Sequence, residues 1–404
     1  MFRLEICLPT YINCQEGSSV ETQSQQPVLR PLDAPVRSHL HEPAVPKLSV
    51  IIPVYNGGLQ LSRCLEGVLR SEYSDFEVIV VNDCSTDNTP EIAQKYGAHC
   101  TRTPRTLGPA GARNWGTGFA QARILVFIDA DVVLPPNALG LIAQEFERDP
   151  QLAAVFGSYD EQPAWDNFLS QYKNLMHCYV HQNSNETATT FWAGCGAIRK
   201  VAFLDFGGFD AARYRQPSIE DIDLGYRLVQ GGKTIRLVKK LQVKHLKKWT
   251  LRNLVRTDIF SRAVPWTRLI LETRHLPRDL NLTSGARVST GLVGLLSLSC
   301  LILLLQAVGL IPTVSLARIF GELAVTTLLA GLLVALNWHM YSFFGKKRGW
   351  WFAARVVPMH WFYYLYSGAV FVCCGVAQMA RLFIASLVPA SWNSRADSRR
   401  IRTR

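Results

Sequence analysis

Two aspartates, Asp129 and Asp131, follow the apolar run Ile124–Ile128. This run has the length and composition of a short buried strand. Because alternate side chains of a strand point to the same face, both carboxylates can approach one cation. Hard oxygen ligands in that arrangement suit Mg²⁺ or Mn²⁺ held together with substrate phosphates. A solvated turn at the end of a strand is the alternative explanation for a bare Asp-x-Asp.

Polar residues also follow two earlier apolar runs. Tyr55 and Asn56 end the run that begins at Leu48, and Asp83 ends the run that begins at Phe76. Strands that alternate with helical segments predict right-handed βαβ units and a parallel sheet. The carboxyl ends of such strands gather along one edge, so a nucleotide would lie there. No Gly-x-Gly-x-x-Gly follows the first strand and no Walker A sequence occurs, which disfavours a dinucleotide-binding Rossmann domain and a P-loop domain.

A second acidic cluster, Glu220-Asp221-Ile-Asp223, begins a predicted helix that ends at Gly231-Gly232. Carboxylates are favoured in the first turn of a helix, so this cluster has a purely structural explanation. A last strand, Thr234–Val238, leads to His245. On its own, that imidazole in a basic patch could simply be solvated or interfacial.

Charge and cysteine usage predict that the chain lies in a reduced, cytosol-facing compartment, next to a membrane. The chain has a formal net charge of +12, and Lys239–Arg287 contains 12 Lys/Arg and 3 Asp/Glu, a net of +9. A basic stretch directly before apolar spans is typical of the side that faces anionic lipid, so we expect a membrane partner and no nucleic acid. The ten cysteines show no Cys-x-x-Cys pair or metal spacing, which favours a reduced compartment. The N-terminus lacks the features of a signal peptide.

Composition divides the chain into five parts. Residues 1–46 are rich in Pro, Ser, Gln and Glu and predict a disordered leader. The alternating strands and helices occupy 47–246. Residues 247–287 interleave basic and apolar side chains, as interfacial helices do. Residues 288–388 predict a transmembrane region of two to four helices, and 389–404 form a basic tail.

The number of crossings is ambiguous at this stage. Val288–Ile311 and Thr313–Leu336 are each long and apolar enough to cross a membrane. Residues 351–387 are short for two crossings and long for one, so a third span after an interfacial helix and a re-entrant hairpin both fit. The segment His339–Gly349 predicts a basic cytosolic loop. The basic tail also prefers the cytosol, which would require an even number of crossings.

Five motifs between residues 48 and 250 resemble those of family-2 inverting glycosyltransferases with the GT-A fold, in the same order and spacing. The motifs are Pro53-Val-Tyr-Asn56, Asn82-Asp83-x-Ser-Thr-Asp87, Gly111-Ala-Arg-Asn114-x-Gly116, Asp129-Ala-Asp131 and Glu220-Asp221-x-Asp-Leu-x-x-Arg227. The resemblance implies an α/β fold, a GT-A domain with a mostly parallel central sheet, followed here by an α-helical membrane domain. It also implies a UDP- or GDP-sugar donor and Mg²⁺ or Mn²⁺.

The resemblance further implies roles for individual residues. Seven residues are expected to contact the nucleotide sugar: Pro53, Tyr55, Asn56, Asp83, Arg113, Asn114 and Asp129. Asp131 is expected to bind the metal directly, with Asp129 and His245 as further metal contacts. Asp221 is expected to be the general base that takes the proton of the acceptor hydroxyl, with its neighbour Glu220 as the alternative base.

The chain departs from the family pattern at three places. Gly57 stands where a glutamate is common, and Cys84 stands where the family has a glycine after the aspartate that would accept a hydrogen bond from the base ring. The Gln-x-x-Arg-Trp signature of processive synthases is absent, and His245-Leu-Lys-Lys-Trp249 stands nearby instead. This absence favours the addition of one sugar over the extrusion of a chain.

These observations together predict a bacterial membrane-bound, metal-dependent glycosyltransferase of the hexosyltransferase type. It would move one sugar to a lipid or envelope-glycan acceptor at the cytoplasmic leaflet, as a multi-pass inner-membrane protein with its catalytic domain in the cytoplasm. A sugar nucleotidyltransferase is one alternative, but it leaves the acidic helix and the apolar spans unexplained. A non-catalytic membrane scaffold is the other, and the intact set of Asp129, Asp131 and Asp221 argues against it.

Overall fold

The structure is a computed structural model that describes residues 45–277, 279–312 and 315–387. The leader predicted for 1–46 lies outside the described residues except for its last two, and the basic tail predicted for 389–404 lies outside them altogether.

Most of the predicted apolar runs form buried strands of one sheet. The strands are β1 (Leu48–Val54), β2 (Phe76–Asn82), β3 (His99–Arg102), β4 (Ile124–Ile128), β5 (Val132–Val133), β6 (Leu152–Tyr159), β7 (Thr187–Ala188), β8 (Cys195–Arg199) and β9 (Thr234–His245). The helices of this domain are α1 (Gly58–Leu69), α2 (Thr89–Lys95), α3 (Gly108–Thr117), α4 (Ala138–Arg148), α5 (Phe168–Asn183), α6 (Lys200–Asp205) and α7 (Glu220–Gln230). Alternation along β1 separates two cores, since Val50 and Ile52 join one apolar cluster and Ile51 joins the other.

The sheet is parallel in its first half and mixed in its second. Its strand order is β3-β2-β1-β4-β8-β6-β9-β5, with β7 beside β9. The pairs among β1 to β4 are parallel, as is β6 with β9. Strand β8 is antiparallel to both β4 and β6, so its first residue, Cys195, pairs with Ile128 at the end of β4. This pairing brings the chain around residue 194 next to Asp129, whose backbone N–H donates to the carbonyl of Gly194 at 3.1 Å.

The basic segment forms a nearly continuous rod. It consists of α8 (Leu251–Arg256), a π-helical segment (Thr257–Ala263) and α9 (Val264–Thr273). Thr250 begins α8 with a capping box, in which its hydroxyl accepts from the Asn253 N–H and the Asn253 side chain accepts from the Thr250 N–H. The segment expected to form interfacial helices is therefore helical over 251–273, and its position at a membrane interface stays a prediction.

The C-terminal helices are α10 (Ser284–Ala307), α11 (Leu316–Leu336), α12 (Trp338–Arg348) and α13 (Trp350–Leu387). Three segments have the length and composition to cross a membrane: Ser284–Ala307, Leu316–Leu336 and Trp350–Ile384. The predicted loop at 339–349 is wrong, because that segment is helix α12. The re-entrant hairpin considered for 351–387 does not form, because α13 is one helix that continues through Pro358. Three crossings would be an odd number, against the even number that a cytosolic tail requires.

Helix α12 is attached to the catalytic domain. Its residues Met340, Tyr341 and Phe344 are buried in a cluster with Tyr172 and Leu175 of α5. At the end of α12, the Arg348 guanidinium donates to Gln171 Oε1 and to the Glu161 carbonyl, both at 2.6 Å. The segment forms a helix because its aromatic side chains have a surface to bury against, which a search for basic loops does not detect.

Candidate active site

Arg113 on α3 lies between two of the predicted site carboxylates. Its guanidinium donates to Asp129 Oδ1 at 2.6 Å and to Glu220 Oε1 at 2.8 Å, and its side chain is only 5% exposed. Burial alone would lower the pKa of Arg113, but Asp129, Glu220 and Asp221 around it raise that pKa above its ordinary value. The cation is therefore permanent, and it connects the end of β4 to the start of α7.

Asp221 is the carboxylate of α7 that keeps accessible surface. Its oxygens accept hydrogen bonds from the backbone N–H groups of Ala193, at 3.0 Å, and Ile222, at 2.8 Å. Burial, together with the nearby charge of Glu220, raises the pKa of Asp221 to about 6. Glu220 itself is 4% exposed, and its other oxygen accepts from the Ser218 N–H at 3.0 Å. Of the two predicted bases, Asp221 has the better position, and its raised pKa suits the removal of a proton near neutral pH.

Asp131 and His245 are brought together by the pairing of β5 with β9, in which Val132 lies opposite His245. The His245 Nε2 atom is 3.5 Å from Asp131 Oδ2. The imidazole stacks on the ring of Tyr159, with 4.2 Å between the ring centroids. Burial works to raise the pKa of Asp131, but His245 and Lys247 outweigh it and hold that pKa below its ordinary value.

The ligating atoms of Asp131 and His245, a carboxylate oxygen and an imidazole nitrogen, are suited to a divalent cation such as Mg²⁺ or Mn²⁺. Two atoms that each bind Mg²⁺ or Mn²⁺ at about 2.1 Å can be at most about 4.2 Å apart, so the separation of Asp131 Oδ2 and His245 Nε2 allows both to ligate one ion. The Asp129 carboxylate is paired with Arg113. Within 45–277, 279–312 and 315–387, no group of three or more His, Cys, Asp or Glu side chains is arranged to hold a metal. Phosphate and water oxygens would have to complete the coordination.

The Asp83 carboxylate, predicted to contact the base ring, is bonded to its own chain. One oxygen accepts from the Thr103 hydroxyl and the Leu107 N–H, and the other accepts from the Gly108 N–H, all at 2.8 Å. Gly108 has a φ of +76°, and a Cβ there would lie 2.1 Å from the Arg215 carbonyl oxygen. Asp83 thus fixes the loop before α3, and a contact with the base would use the remaining acceptor capacity of its oxygens.

Asn56 and Asn114 also bond to backbone. Asn56 has a left-handed φ of +49°, and its side-chain oxygen accepts from the Thr86 N–H at 2.7 Å. The Asn114 amide makes two hydrogen bonds with the backbone of Phe209, donating at 2.7 Å and accepting at 3.0 Å. Tyr55 is 46% exposed at the end of β1, and Pro53 is half-buried within it. Tyr55 is the residue of this group with a free face for a nucleoside.

His177, which lies beside the site, was not found from the sequence. His177 on α5 and Trp192 both pack against Tyr159, with ring centroids 4.3 Å and 4.9 Å away. Burial and the neighbouring His181 hold the pKa of His177 well below its ordinary value, so the ring is neutral at pH 7. No local spacing signals this ring cluster, because its members come from distant parts of the chain.

The comparisons with known proteins agree with this architecture. Residues 49–207 match the family model described as glycosyl transferase family 2. A chondroitin synthase from Pasteurella multocida is 36% identical over 127 residues, which are 30% of this chain and 12% of that protein. A pre-mycofactocin glycosyltransferase from Mycobacterium tuberculosis is 30% identical over 243 residues, 57% of this chain and 49% of that protein. The matched part of the chain thus spans less than two thirds of either relative.

A solved structure extends the likeness to the C-terminal helices. The mannosyltransferase from Pyrobaculum calidifontis, in complex with GDP-Man and Mn²⁺, superposes with a TM-score of 0.56 and 16% identity. The superposition covers 85% of this chain and 90% of that one. At this identity the likeness shows the fold alone, and it confirms the predicted GT-A domain followed by a helical region.

Proposed function

We propose that this protein transfers one sugar from a nucleotide-sugar donor to an acceptor hydroxyl with inversion, because residues 49–207 match the family model of glycosyl transferase family 2 and the chain shares the GT-A fold. The observation that carries this proposal is the state of Asp221. It is a half-buried carboxylate whose pKa is raised to about 6, and it keeps accessible surface while Glu220 and Asp129 are bound to Arg113. A general base with a pKa near the working pH is what the removal of a hydroxyl proton requires.

The proposed step is a single displacement. A lone pair of the acceptor oxygen forms the bond to the anomeric carbon, and the bond from that carbon to the diphosphate oxygen breaks. The bonding electrons leave with the nucleoside diphosphate, and the hydroxyl proton goes to the Asp221 carboxylate. The two backbone N–H groups that bond to Asp221 hold this carboxylate in position before the acceptor arrives.

Asp131 and His245, with Asp129 beside them, are the proposed residues for Mg²⁺ or Mn²⁺. When bound, such an ion supplies Lewis-acid stabilisation of the charge on the departing diphosphate. We propose a UDP- or GDP-sugar as the donor. The mannosyltransferase structure that shares the fold contains GDP-Man and Mn²⁺, which supports this choice. The exposed Tyr55 ring and the Asn56 and Asp83 loops are the proposed nucleoside contacts.

The proposed acceptor is a lipid or an envelope glycan at the cytoplasmic leaflet. Three candidate spans and the net charge of +9 between Lys239 and Arg287 support a multi-pass protein of the inner membrane with its catalytic domain in the cytoplasm. The absence of the processive Gln-x-x-Arg-Trp signature supports the addition of one sugar, of the hexosyl type.

Donor turnover tests the proposed function directly. We expect the purified protein, in detergent with a lipid extract, to release nucleoside diphosphate from one UDP- or GDP-sugar when Mn²⁺ or Mg²⁺ is present. Chelation should abolish the release, and Asp131→Asn and Asp221→Asn should each lower it by about 10²-fold or more. The exposed Glu147→Gln substitution is the control. Release that is equal in all variants, or the release of pyrophosphate from a nucleoside triphosphate, would overturn the proposal.

A further inference from the structure

A large cavity lies between the catalytic domain and the candidate spans. Its volume is about 850 Å³, and its walls are formed by α5, the π-helical segment, α9, α10 and α13. The lining is mostly apolar. Small-molecule sites in proteins commonly have volumes of about 300–1,000 Å³, so this cavity has the size of a ligand site.

One end of the cavity adjoins the candidate active site. The Ser218 hydroxyl, in the turn just before α7, donates to the Ser261 carbonyl at 3.2 Å. Ser261 precedes Arg262, which lines the cavity. His177 also lines the cavity, and its ring packs on Tyr159, which in turn stacks on His245. A molecule at this end would therefore reach the region of Asp221.

The same end carries an excess of positive charge. Lys173 is neutralised by Asp258, whose two oxygens both accept from its ammonium group at 2.6 Å. Elsewhere in the lining, the Arg287 side chain donates to the carbonyls of Leu282, at 3.0 Å, and Pro277, at 2.5 Å, and it has no carboxylate partner in the described part of the chain. The exposed Arg262 guanidinium is near enough to Asp258 for its charge to stabilise that carboxylate, but it makes no hydrogen bond or salt bridge with any described residue. A guanidinium with free donors is suited to the bidentate binding of phosphate.

The other end of the cavity lies within the candidate spans. Its lining there includes Gly291 and Gly294 of α10 and Phe371 and Val372 of α13. Phe371 and Val372 are 45% and 62% exposed, so the cavity reaches the outer, apolar surface between these two helices. A Cβ added at either glycine would meet no atom within 4 Å, so the absence of side chains keeps this end open. An apolar chain could pass from here into the bilayer.

We infer that this cavity binds the acceptor, and that the acceptor is a glycolipid whose apolar chain is linked through phosphate to a saccharide. The chain would leave between α10 and α13, the phosphate would bind Arg262, and a saccharide hydroxyl would face Asp221. The phosphate would accept hydrogen bonds from the Arg262 guanidinium, and the hydroxyl would give its proton to the Asp221 carboxylate. This inference rests on the proposed transferase function and adds the acceptor class and its site.

Lipid binding is the test, because it can be measured apart from sugar transfer. The probe is radiolabelled long-chain polyprenyl phosphate, added to the full chain in nanodiscs and compared with the uncharged polyprenol of equal length. We expect saturable binding of the phosphate and at least tenfold weaker binding of the alcohol. Arg262→Gln should remove this preference, whereas Arg268→Gln, at an exposed residue of α9 outside the cavity lining, should retain it.

Filling the apolar end gives a second, independent readout. Gly294→Leu and Gly291→Leu should each reduce binding of the long-chain phosphate at least tenfold but leave that of water-soluble geranyl phosphate nearly unchanged. Gly331→Leu on α11 is the matched control, because its Cβ also meets no atom within 4 Å and it does not line the cavity. Unchanged long-chain binding in both glycine variants, or equal displacement of the probe by phosphatidylglycerol, would overturn the inference.

Donor binding in the same preparations separates the two proposals. Nucleotide-sugar binding should persist in Gly294→Leu and in Arg262→Gln, because neither residue is among the proposed donor contacts. Normal donor turnover with unaltered lipid binding in these variants would overturn the acceptor site and leave the transferase intact. Absence of donor turnover in the wild-type protein would count against the transferase itself.

Discussion

The two halves of the candidate site use their polar side chains differently. In the half formed by β1, β2 and α3, the side chains of Asn56, Asp83 and Asn114 bond to backbone groups of neighbouring loops. In the half formed by α7 and β9, Asp221 also accepts from two backbone N–H groups but keeps accessible surface, and His245 lies 3.5 Å from Asp131. Hydrogen bonds in the first half fix the conformation of loops. The second half contains the carboxylate and the imidazole that are proposed to act on the donor, the acceptor or a metal.

This difference implies two kinds of failure on mutation. Substitutions in the first half should lower the stability of a loop and, through it, the affinity for the donor. Substitutions in the second half should lower the turnover number with little change in stability. Motif residues can therefore be separated by which of these two quantities their substitution changes.

The largest effect that would sharpen this contrast is the pH dependence of transfer. Because only ionised Asp221 can accept a proton, a pKa raised to about 6 predicts a plateau above pH 6 and about a tenfold fall per unit below it. An unperturbed aspartate would keep the plateau down to about pH 4. The measurement is the turnover number at saturating donor, acceptor and Mn²⁺, with donor binding checked at each pH. A plateau that persists to pH 4.5 would show that a base with a raised pKa does not control the turnover, which contradicts the role proposed for Asp221.

A smaller effect is expected for Asp83→Ala. The substitution leaves the Thr103 hydroxyl and the N–H groups of Leu107 and Gly108 without their acceptor, so we expect a loss of about 2–4 kcal/mol in the free energy of unfolding. Thermal unfolding in detergent measures it. Asp75→Ala, which removes one hydrogen bond from the Lys47 N–H, is the matched control. A stable variant with a raised KM for the donor would instead assign Asp83 mainly to the base ring.

The smallest effect concerns Cys84, which has a left-handed φ of +64° where the family has glycine. A side chain in this region costs about 1–2 kcal/mol, and the Cys84 thiol recovers part of that by donating to the Thr103 carbonyl at 3.3 Å. Cys84→Gly should therefore raise the free energy of unfolding by up to about 1 kcal/mol without changing the turnover number. Cys100→Gly, within strand β3, should lower it. A fall in both variants would show that the thiol contact outweighs the strain.

Much of the fold could be predicted because its signals are local. The apolar runs at β1, β2 and β4 are short and continuous, and the turn residues that follow them are read directly from the chain. The prediction of interfacial and membrane helices depended on composition alone, which locates a helix better than it locates its ends. The first span, expected at 288–311, accordingly begins four residues earlier, at Ser284, and ends at Ala307.

The rest depends on contacts between distant residues. The antiparallel pairing of β8 with β4 joins segments about 70 residues apart, and the Lys173–Asp258 pair joins residues 85 apart. Likewise, a sequence motif identifies Asp83 and Asn114 but does not show that their side-chain oxygens accept hydrogen bonds from other parts of the chain. The roles expected for the site residues therefore remain predictions, although Asp131 and His245 lie together as they would require.

The attachment of α12 to α5 limits how far the proposed base can move from the membrane surface. Buried aromatic contacts, together with the two hydrogen bonds from Arg348, fix the catalytic domain to the helices that would hold it at a bilayer. If these helices span a bilayer, a domain attached in this way would not swing outward on a linker, and the proposed base would stay at one height above the lipid surface. We therefore expect the protein to prefer acceptors with one length of saccharide between the reacting hydroxyl and the membrane.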